Sequence, residues 1–254
     1  VSRLEKVLAG GGKLVAFTVA GDPTVEESYK AASCIIGAGA DVLELGLPFS
    51  DPLADGPTIQ EAGARALAAG MNTDRYFELV KRLNVRYETP LVCLTYYNIL
   101  LRYGLHRFAE KCARSGIDGV IVPDLPLEES GPLRRELRQV GVDFIFLVAE
   151  TTPEDRLGRI LASASGFVYV VALLGTTGAR KTVDPKLKSL IRRVKAKTRL
   201  PVAVGFGIST QEHVKAVIRM GADAAIVGSG IVKKQARGEN VGAYVRSLAK
   251  AAKK

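Results

Sequence analysis

Glu44, Asp51 and Asp55 fall within a dozen residues of one another in Leu43-Glu44-Leu45-Gly46-Leu47-Pro48-Phe49-Ser50-Asp51-Pro52-Leu53-Ala54-Asp55-Gly56-Pro57. Residues 42–45 are aliphatic apart from Glu44 and are bounded by Gly and Pro, which predicts a buried strand rather than a helix. Side chains alternate along a strand, so Val42, Glu44 and Gly46 share one face and Leu43 and Leu45 the other. A carboxylate there costs desolvation energy, and the usual response is a raised pKa or a bound partner. The rigid acidic segment behind the strand brings Asp55 back toward Glu44. Two carboxylates in unequal surroundings can divide acid and base roles at neutral pH. A solvated strand end, or an ion pair with a buried Arg, would account for Glu44 taken alone; the acidic segment shifts the balance toward chemistry.

A second constellation lies late in the chain. Gly175-Thr176-Thr177-Gly178, Gly205-Phe206-Gly207-Ile208-Ser209 and Gly228-Ser229-Gly230 follow three consecutive aliphatic runs. Each offers backbone N–H groups with little side-chain obstruction, and together they can surround an anion with amide donors and helix N-termini. Any one of them alone would mark only a turn. His106 and His213 stand apart in helical patterns without companion ligands, so neither a metal site nor a Ser–His nucleophile is expected. Acid–base work then falls to carboxylates or tyrosines, with no cofactor.

The elements that must hold these groups form a repeat. Gly39-Ala40-Asp41, Gly116-Ile117-Asp118, Gly141-Val142-Asp143 and Gly221-Ala222-Asp223 each end a helical pattern and begin an apolar run. Gly serves as the helix C-cap, and the run after Asp reads as a buried parallel strand. Filling in the other units predicts strands near 14–20, 41–46, 91–96, 118–123, 143–148, 167–173, 201–205 and 223–227. Helical patterns lie between them at 24–37, 57–69, 74–84, 104–114, 128–139, 153–163, 186–197 and 210–219, with two more at 230–237 and 240–252. Thr24 with Glu27 reads as a capping box, and Pro153 and Pro185 fall at first turns. Repeat spacing and the lack of a dinucleotide Gly fingerprint favour a closed (β/α)8 TIM barrel over an open doubly wound sheet. The expected fold is one such barrel over residues 1–254, with extra helices at the N-terminus, after strand 2 and after strand 8. Barrel active sites lie at strand C-terminal ends, where Asp22, Glu44, Asn98, Asp124 and the three Gly-rich segments fall.

At 254 residues and 47% hydrophobic content, the chain can bury a large core. There is no apolar run near 20 residues and no signal-peptide core, so no membrane role and a cytoplasmic location are expected. Three cysteines, Cys34, Cys93 and Cys112, lack paired spacing and lie in apolar contexts, which reads as buried thiols. The net charge of +10 is spread through most of the chain, and the densest basic stretch, 180–199, reads as a solvated helix face rather than a nucleic-acid surface. A basic surface suits an anionic substrate through long-range steering.

With these residues in hand, the chain resembles the tryptophan synthase α subunit family nearly end to end. The stretch from Leu43 to Gln60 carries the family's hallmark. Phe17-Thr18-Val19-Ala20-Gly21-Asp22-Pro23, Tyr96-Tyr97-Asn98, Pro123-Asp124-Leu125-Pro126, Gly205-Phe206-Gly207-Ile208-Ser209 and Gly228-Ser229-Gly230-Ile231-Val232 support it. The resemblance implies a retro-aldol lyase that cleaves indole-3-glycerol phosphate to indole and glyceraldehyde 3-phosphate and passes indole to a β subunit in an α2β2 complex. It implies that Glu44 protonates indole C3 and takes part in removing the glycerol hydroxyl proton, and that Asp55 accepts the indole N1 hydrogen bond. It places phosphate at Gly178, Phe206, Gly207, Gly228 and Ser229, and indole against Phe17, Leu94 and Tyr169. A loop carrying Thr177 would close over the substrate. The family's Arg-x-Gly-Val-Thr-Gly departs here to Leu173-Leu174-Gly175-Thr176-Thr177-Gly178, which bears on closure and partner coupling. The Pro52 region and the segments after Asn98 and Pro126 match those that meet the β subunit, although rigid Pro-containing loops could equally just shape the site.

Other phosphate-binding barrel enzymes fit less well. A Schiff-base aldolase would want a Lys in a strand core and a metal-dependent one clustered His, and neither is present. A stand-alone indole-producing lyase differs only in needing no β subunit.

Overall fold

A computed structural model describes residues 1–172 and 185–253. Among these, eight parallel strands close into a barrel in sequence order: β1 (Lys13–Val19), β2 (Val42–Gly46), β3 (Leu91–Leu94), β4 (Gly119–Ile121), β5 (Asp143–Val148), β6 (Val168–Val171), β7 (Val202–Gly205) and β8 (Ala224–Val227). β8 pairs back onto β1, with Leu14 beside Ala225, and β1 pairs with β2 so that Phe17 lies beside Glu44. The (β/α)8 TIM barrel expected from the repeat is the observed fold.

Helices wrap the barrel, beginning with α1 (Arg3–Leu8), α2 (Val25–Gly37), α3 (Pro57–Ala68) and α4 (Thr73–Arg86). They continue with α5 (Tyr97–Tyr103), α6 (Leu105–Ser115), α7 (Gly131–Gln139) and α8 (Glu154–Ser163), and end with α9 (Pro185–Lys195), α10 (Gln211–Arg219), α11 (Ser229–Ala236) and α12 (Val241–Ala252). The extra helices expected at the N-terminus, after β2 and after β8 are α1, one of the pair α3 and α4, and one of the pair α11 and α12. Several starts are fixed by side-chain caps: Ser2 and Glu5 form a reciprocal capping box, and Thr24, Asn72 and Asn240 each accept an N–H from three residues on. Thr24 does so from the Glu27 backbone, so its share of the expected box is present.

Strand alternation sorts the core into two layers. Val15, Val42, Val92, Ile121, Ile145, Tyr169, Ala203 and Ile226 point into the barrel, while Leu43, Leu45 and their counterparts meet the helices outside. Leu4 and Leu8 of α1 join the inner layer, and Leu4 approaches Gly119 at the start of β4, so α1 covers the N-terminal mouth. Among the described residues, no helix is long and apolar enough to cross a membrane.

The Gly-x-Asp repeats build that N-terminal rim. Gly39, Gly116, Gly141 and Gly221 all have positive φ, which ends each helix without a Cβ penalty. Three of the following aspartates then clasp the start of a neighbouring strand. Asp41 accepts the Leu14 N–H at 2.9 Å, Asp118 that of Leu91 at 2.9 Å, and Asp223 that of Val202 at 2.8 Å. Each also meets a cation: Lys13, Arg3 and Lys195 respectively. Asp143 is served instead by the Ser2 and Ser165 side chains.

Some expectations shift. The helix at 104–114 is joined by a separate α5, because Gly104 at φ 90° breaks the run. The segment 128–139 opens as a 3-10 turn, Leu127–Glu129, before α7 begins. Cys93 and Cys112 are buried, but Cys34 is exposed: the inward face of α2 carries Ser28, Ala32, Ile35 and Ile36, and Cys34 lies off it.

Candidate active site

Glu44 occupies the third position of β2 with its side chain on the barrel-interior face, 1% exposed. Its Oε2 is a buried atom with no hydrogen-bond partner. Burial, with the charge of Asp55 adding to it, pushes the Glu44 pKa up to about 8. At neutral pH this side chain is therefore an acid holding its proton.

Asp55 reaches the same cavity from the segment between β2 and α3. The Gln60 side chain bonds its backbone carbonyl at 2.9 Å, fixing the segment against the first turn of α3. Burial raises the Asp55 pKa, and a hydrogen bond with Tyr96 pulls it back. Tyr96 is 2% exposed, stacks on Phe49 at 5.3 Å, and its hydroxyl oxygen accepts the Ala54 N–H at 3.2 Å. With that lone pair engaged, the single phenolic hydrogen is left for the Asp55 carboxylate.

The cavity is about 350 Å³, the size of a small-molecule site. Phe17, Leu94 and Tyr169 line it beside Glu44 and Asp55, as do Phe206, Gly207, Gly228 and Ser229. Nine of the eleven residues singled out in the sequence thus share one cavity; Thr177 and Gly178, with Leu173 and Thr176, lie outside the described residues. The Phe17 ring lies against two glycines: a Cβ on Gly46 would meet it at 2.9 Å and one on Gly228 at 3.0 Å. Tyr169 packs edge-on to Phe206 at 6.0 Å, and its hydroxyl sits so close to Gly205 that a Cβ there would lie 2.2 Å away. Burial, then the charges of Glu44 and Asp55, raises the Tyr169 pKa well above the usual phenol value.

The glycine-rich strand ends differ in what they offer an anion. α11 starts at Ser229 with Gly228 as its N-cap and no side-chain cap, so its first N–H groups are free to face the cavity. α10 is closed off by Thr210, whose side chain takes the His213 N–H. Before it, Phe206 holds φ 71°, a conformation that costs a non-glycine residue on the order of 1–2 kcal/mol, and Gly207 follows at φ 77°. Backbone strain of this kind persists where the surrounding structure over-determines it, typically at functional sites.

The other strand-end residues turn to structural partners. Asp124 accepts the Tyr97 N–H at 3.0 Å, tying the segments after β3 and β4 together, and Asp51 is exposed, taking a bond from Ser50. Asp22 is buried and paired with Arg65. Tyr96 was legible in the sequence only as part of a motif; its link to Asp55 depends on chain closure across some forty residues.

A barrel whose C-terminal rim holds a protonated buried glutamic acid, a second carboxylate and uncapped helix amides in one cavity defines an acid–base enzyme of the TIM-barrel class. Comparison with known proteins narrows this. Residues 6–253 match the tryptophan synthase alpha chain family, and the chain belongs to it. The tryptophan synthase alpha chain of Methanosarcina barkeri is 52% identical over 239 residues, covering 94% of this chain and 89% of the relative. That of Methanocaldococcus jannaschii is also 52% identical, over 88% of this chain and 79% of the relative. Among solved structures, a subunit of the Pyrococcus furiosus tryptophan synthase α2β2 complex superposes with TM-score 0.88 at 38% identity, covering 95% of this chain and 98% of that one. Mycobacterium tuberculosis tryptophan synthase gives 0.92 at 32% identity, covering 100% and 99%.

Proposed function

We propose that this chain, acting as one barrel domain, cleaves indole-3-glycerol phosphate to indole and glyceraldehyde 3-phosphate and delivers indole to a tryptophan synthase β subunit. The observation that carries the mechanism is the unpartnered Glu44 carboxyl beside Asp55. Indole leaves poorly as a carbanion, so the reaction needs a proton at C3 first. Glu44, protonated at neutral pH, supplies it. Protonation places positive charge on the ring nitrogen, and the Asp55 carboxylate, held by Tyr96, accepts the N1–H and stabilises that charge. The carboxylate left on Glu44 then takes the glycerol hydroxyl proton as the carbon–carbon bond breaks and the aldehyde forms. Glu44 ends in its starting state.

Phe17, Leu94 and Tyr169 flank the indole, and Gly207, Gly228, Ser229 and the backbone of Phe206 hold the phosphate, joined by Gly178. Thr177 closes the site and excludes water during cleavage. The pathway is amino-acid biosynthesis in the cytoplasm, in keeping with the absence of paired cysteines among the described residues.

The deciding assay measures indole release from indole-3-glycerol phosphate with and without added β subunit. Release that rises with the β subunit supports the reading; release indifferent to it makes the chain a stand-alone lyase. No release in either arm overturns the assignment.

A further inference from the structure

Behind the cavity, a chain of hydrogen bonds joins the two helices that carry its opposing chemistries. Asp22 follows β1 with its side chain 1% exposed. Its carboxylate accepts a two-pronged bond from Arg65, Nε at 2.7 Å and Nη2 at 3.0 Å. Arg65 stands on α3, the helix that begins two residues after Asp55. The Asp22 backbone carbonyl accepts from Gln235 Nε2 at 2.7 Å, and Gln235 Oε1 accepts from the Thr18 hydroxyl at 2.9 Å. Gln235 stands on α11, whose uncapped start is Gly228 and Ser229. Thr18 is fully buried in β1 beside the cavity residue Phe17.

Both ends of this chain are specified by donor inventory. A carbonyl can only accept, so the Gln235 amide must turn its nitrogen to Asp22 and its oxygen to Thr18. The paired prongs of Arg65 fix direction as well as distance, which a lysine could not do. One residue, Asp22, therefore bonds through its side chain to the helix behind the acid and through its backbone to the helix that presents amides.

We propose that Asp22, with Arg65 and Gln235, is a positioning residue that sets the separation between the Asp55 carboxylate and the amide end of α11. A ligand that engages both must match that separation, whereas a ligand that engages one does not sense it. Displacement of a reacting group by about 1 Å can lower a rate on the order of 100-fold, so a set distance is a catalytic quantity. This rests on the reading of the cavity as a site for an indole joined to a phosphate.

The test uses the full chain with Asp22→Asn, Arg65→Lys and Gln235→Met. Gln235→Met cuts the α11 bond while leaving the Asp22–Arg65 pair whole, so it reports even where Asp22→Asn fails to fold. Binding is measured for three probes: inorganic phosphate, indole, and a non-cleavable indole joined by three carbons to a phosphate. The expected result is that the joined ligand loses affinity by about 10-fold or more and kcat falls by about 10- to 100-fold. The separate probes should stay within roughly twofold, because each meets an intact half-site. Loss of all three probes in parallel would show a merely structural network, and retention of all three with normal kcat would show that the separation is set elsewhere; either overturns the proposal. Wild-type protein that binds the separate probes but neither binds nor cleaves the joined one would instead remove the functional reading, and this inference with it.

Discussion

The two rims of the barrel use the same functional group to opposite ends. At the N-terminal rim, Asp41, Asp118 and Asp223 each accept a strand N–H and pair with a cation. At the C-terminal rim, Glu44 has an oxygen with no partner and a pKa near 8. Burial acts at Asp118 too and raises its pKa, but the Leu91 N–H and Arg3 pull it back. What separates the clasps from the proposed acid here is both depth and company: Glu44 is 1% exposed with an unpartnered oxygen, whereas each aspartate is less deeply set and meets an N–H and a cation. The lower rim has solved its electrostatics and gains stability. At Glu44 the upper rim has left them unsolved, for a substrate to complete.

The contrast is broken most severely at Glu44. Replacing it by Gln keeps the shape and removes the transferable proton, so indole release should fall by roughly 100- to 10,000-fold while phosphate-ligand affinity changes only a few-fold. Steady-state kinetics alongside ligand titration would check this, and retained turnover would take Glu44 out of the mechanism. Asp55→Asn keeps a group at N1 but loses the compensating charge; a drop on the order of 100- to 1,000-fold is expected in single-turnover cleavage. An unchanged rate would mean that another group holds the ring nitrogen.

The pH dependence of stability sharpens the same comparison. A free Glu ionises near 4.5, whereas native Glu44 holds its proton to about 8. Between those values the native state binds more protons than the unfolded state, so stability falls as pH rises through the window. The wild type should thus lose on the order of a few kcal/mol relative to Glu44→Gln between pH 5 and pH 8, read by denaturant titration at several pH values. Parallel curves for the two proteins would argue that Glu44 is ionised in the folded state. At the lower rim, Asp223→Ala strands the Val202 N–H and removes the ion pair of Lys195, which keeps its bond to the Gly221 carbonyl. It should cost about 1–3 kcal/mol of stability with kcat unaltered. A fall in kcat larger than any loss of stability would show that the rims are not independent.

Strand cores were legible because each is a short aliphatic run bounded by turn residues. Their ends were not: β4 was expected to reach residue 123 and pairs only over Gly119–Ile121, because pairing depends on neighbours rather than on the run itself. α5 escaped because Tyr96 caps it without a side-chain bond, leaving no local start signal. Glu44 announced itself as a charge in an apolar strand, and Asp55 through the rigid acidic segment behind it. Tyr96, Arg65 and Gln235 could not do so, since each acts on a residue more than forty positions away. Local pattern names the groups that carry charge; only the closed barrel reveals the ones that hold them in place.

The wedge of Phe17 between Gly46 and Gly228 has a bearing on which ring sizes the site admits. Gly46 of β2 and Gly228 at the start of α11 both meet that ring, and each contributes nothing but hydrogen at the point of contact. Growth at position 46 or 228 can only push the phenyl group inward and narrow the floor, whereas trimming position 17 widens it without disturbing either neighbour. With indole placed against Phe17 as proposed, tolerance for methylated or halogenated indoles is adjustable at a single address, and the two glycines have no freedom to share in the adjustment.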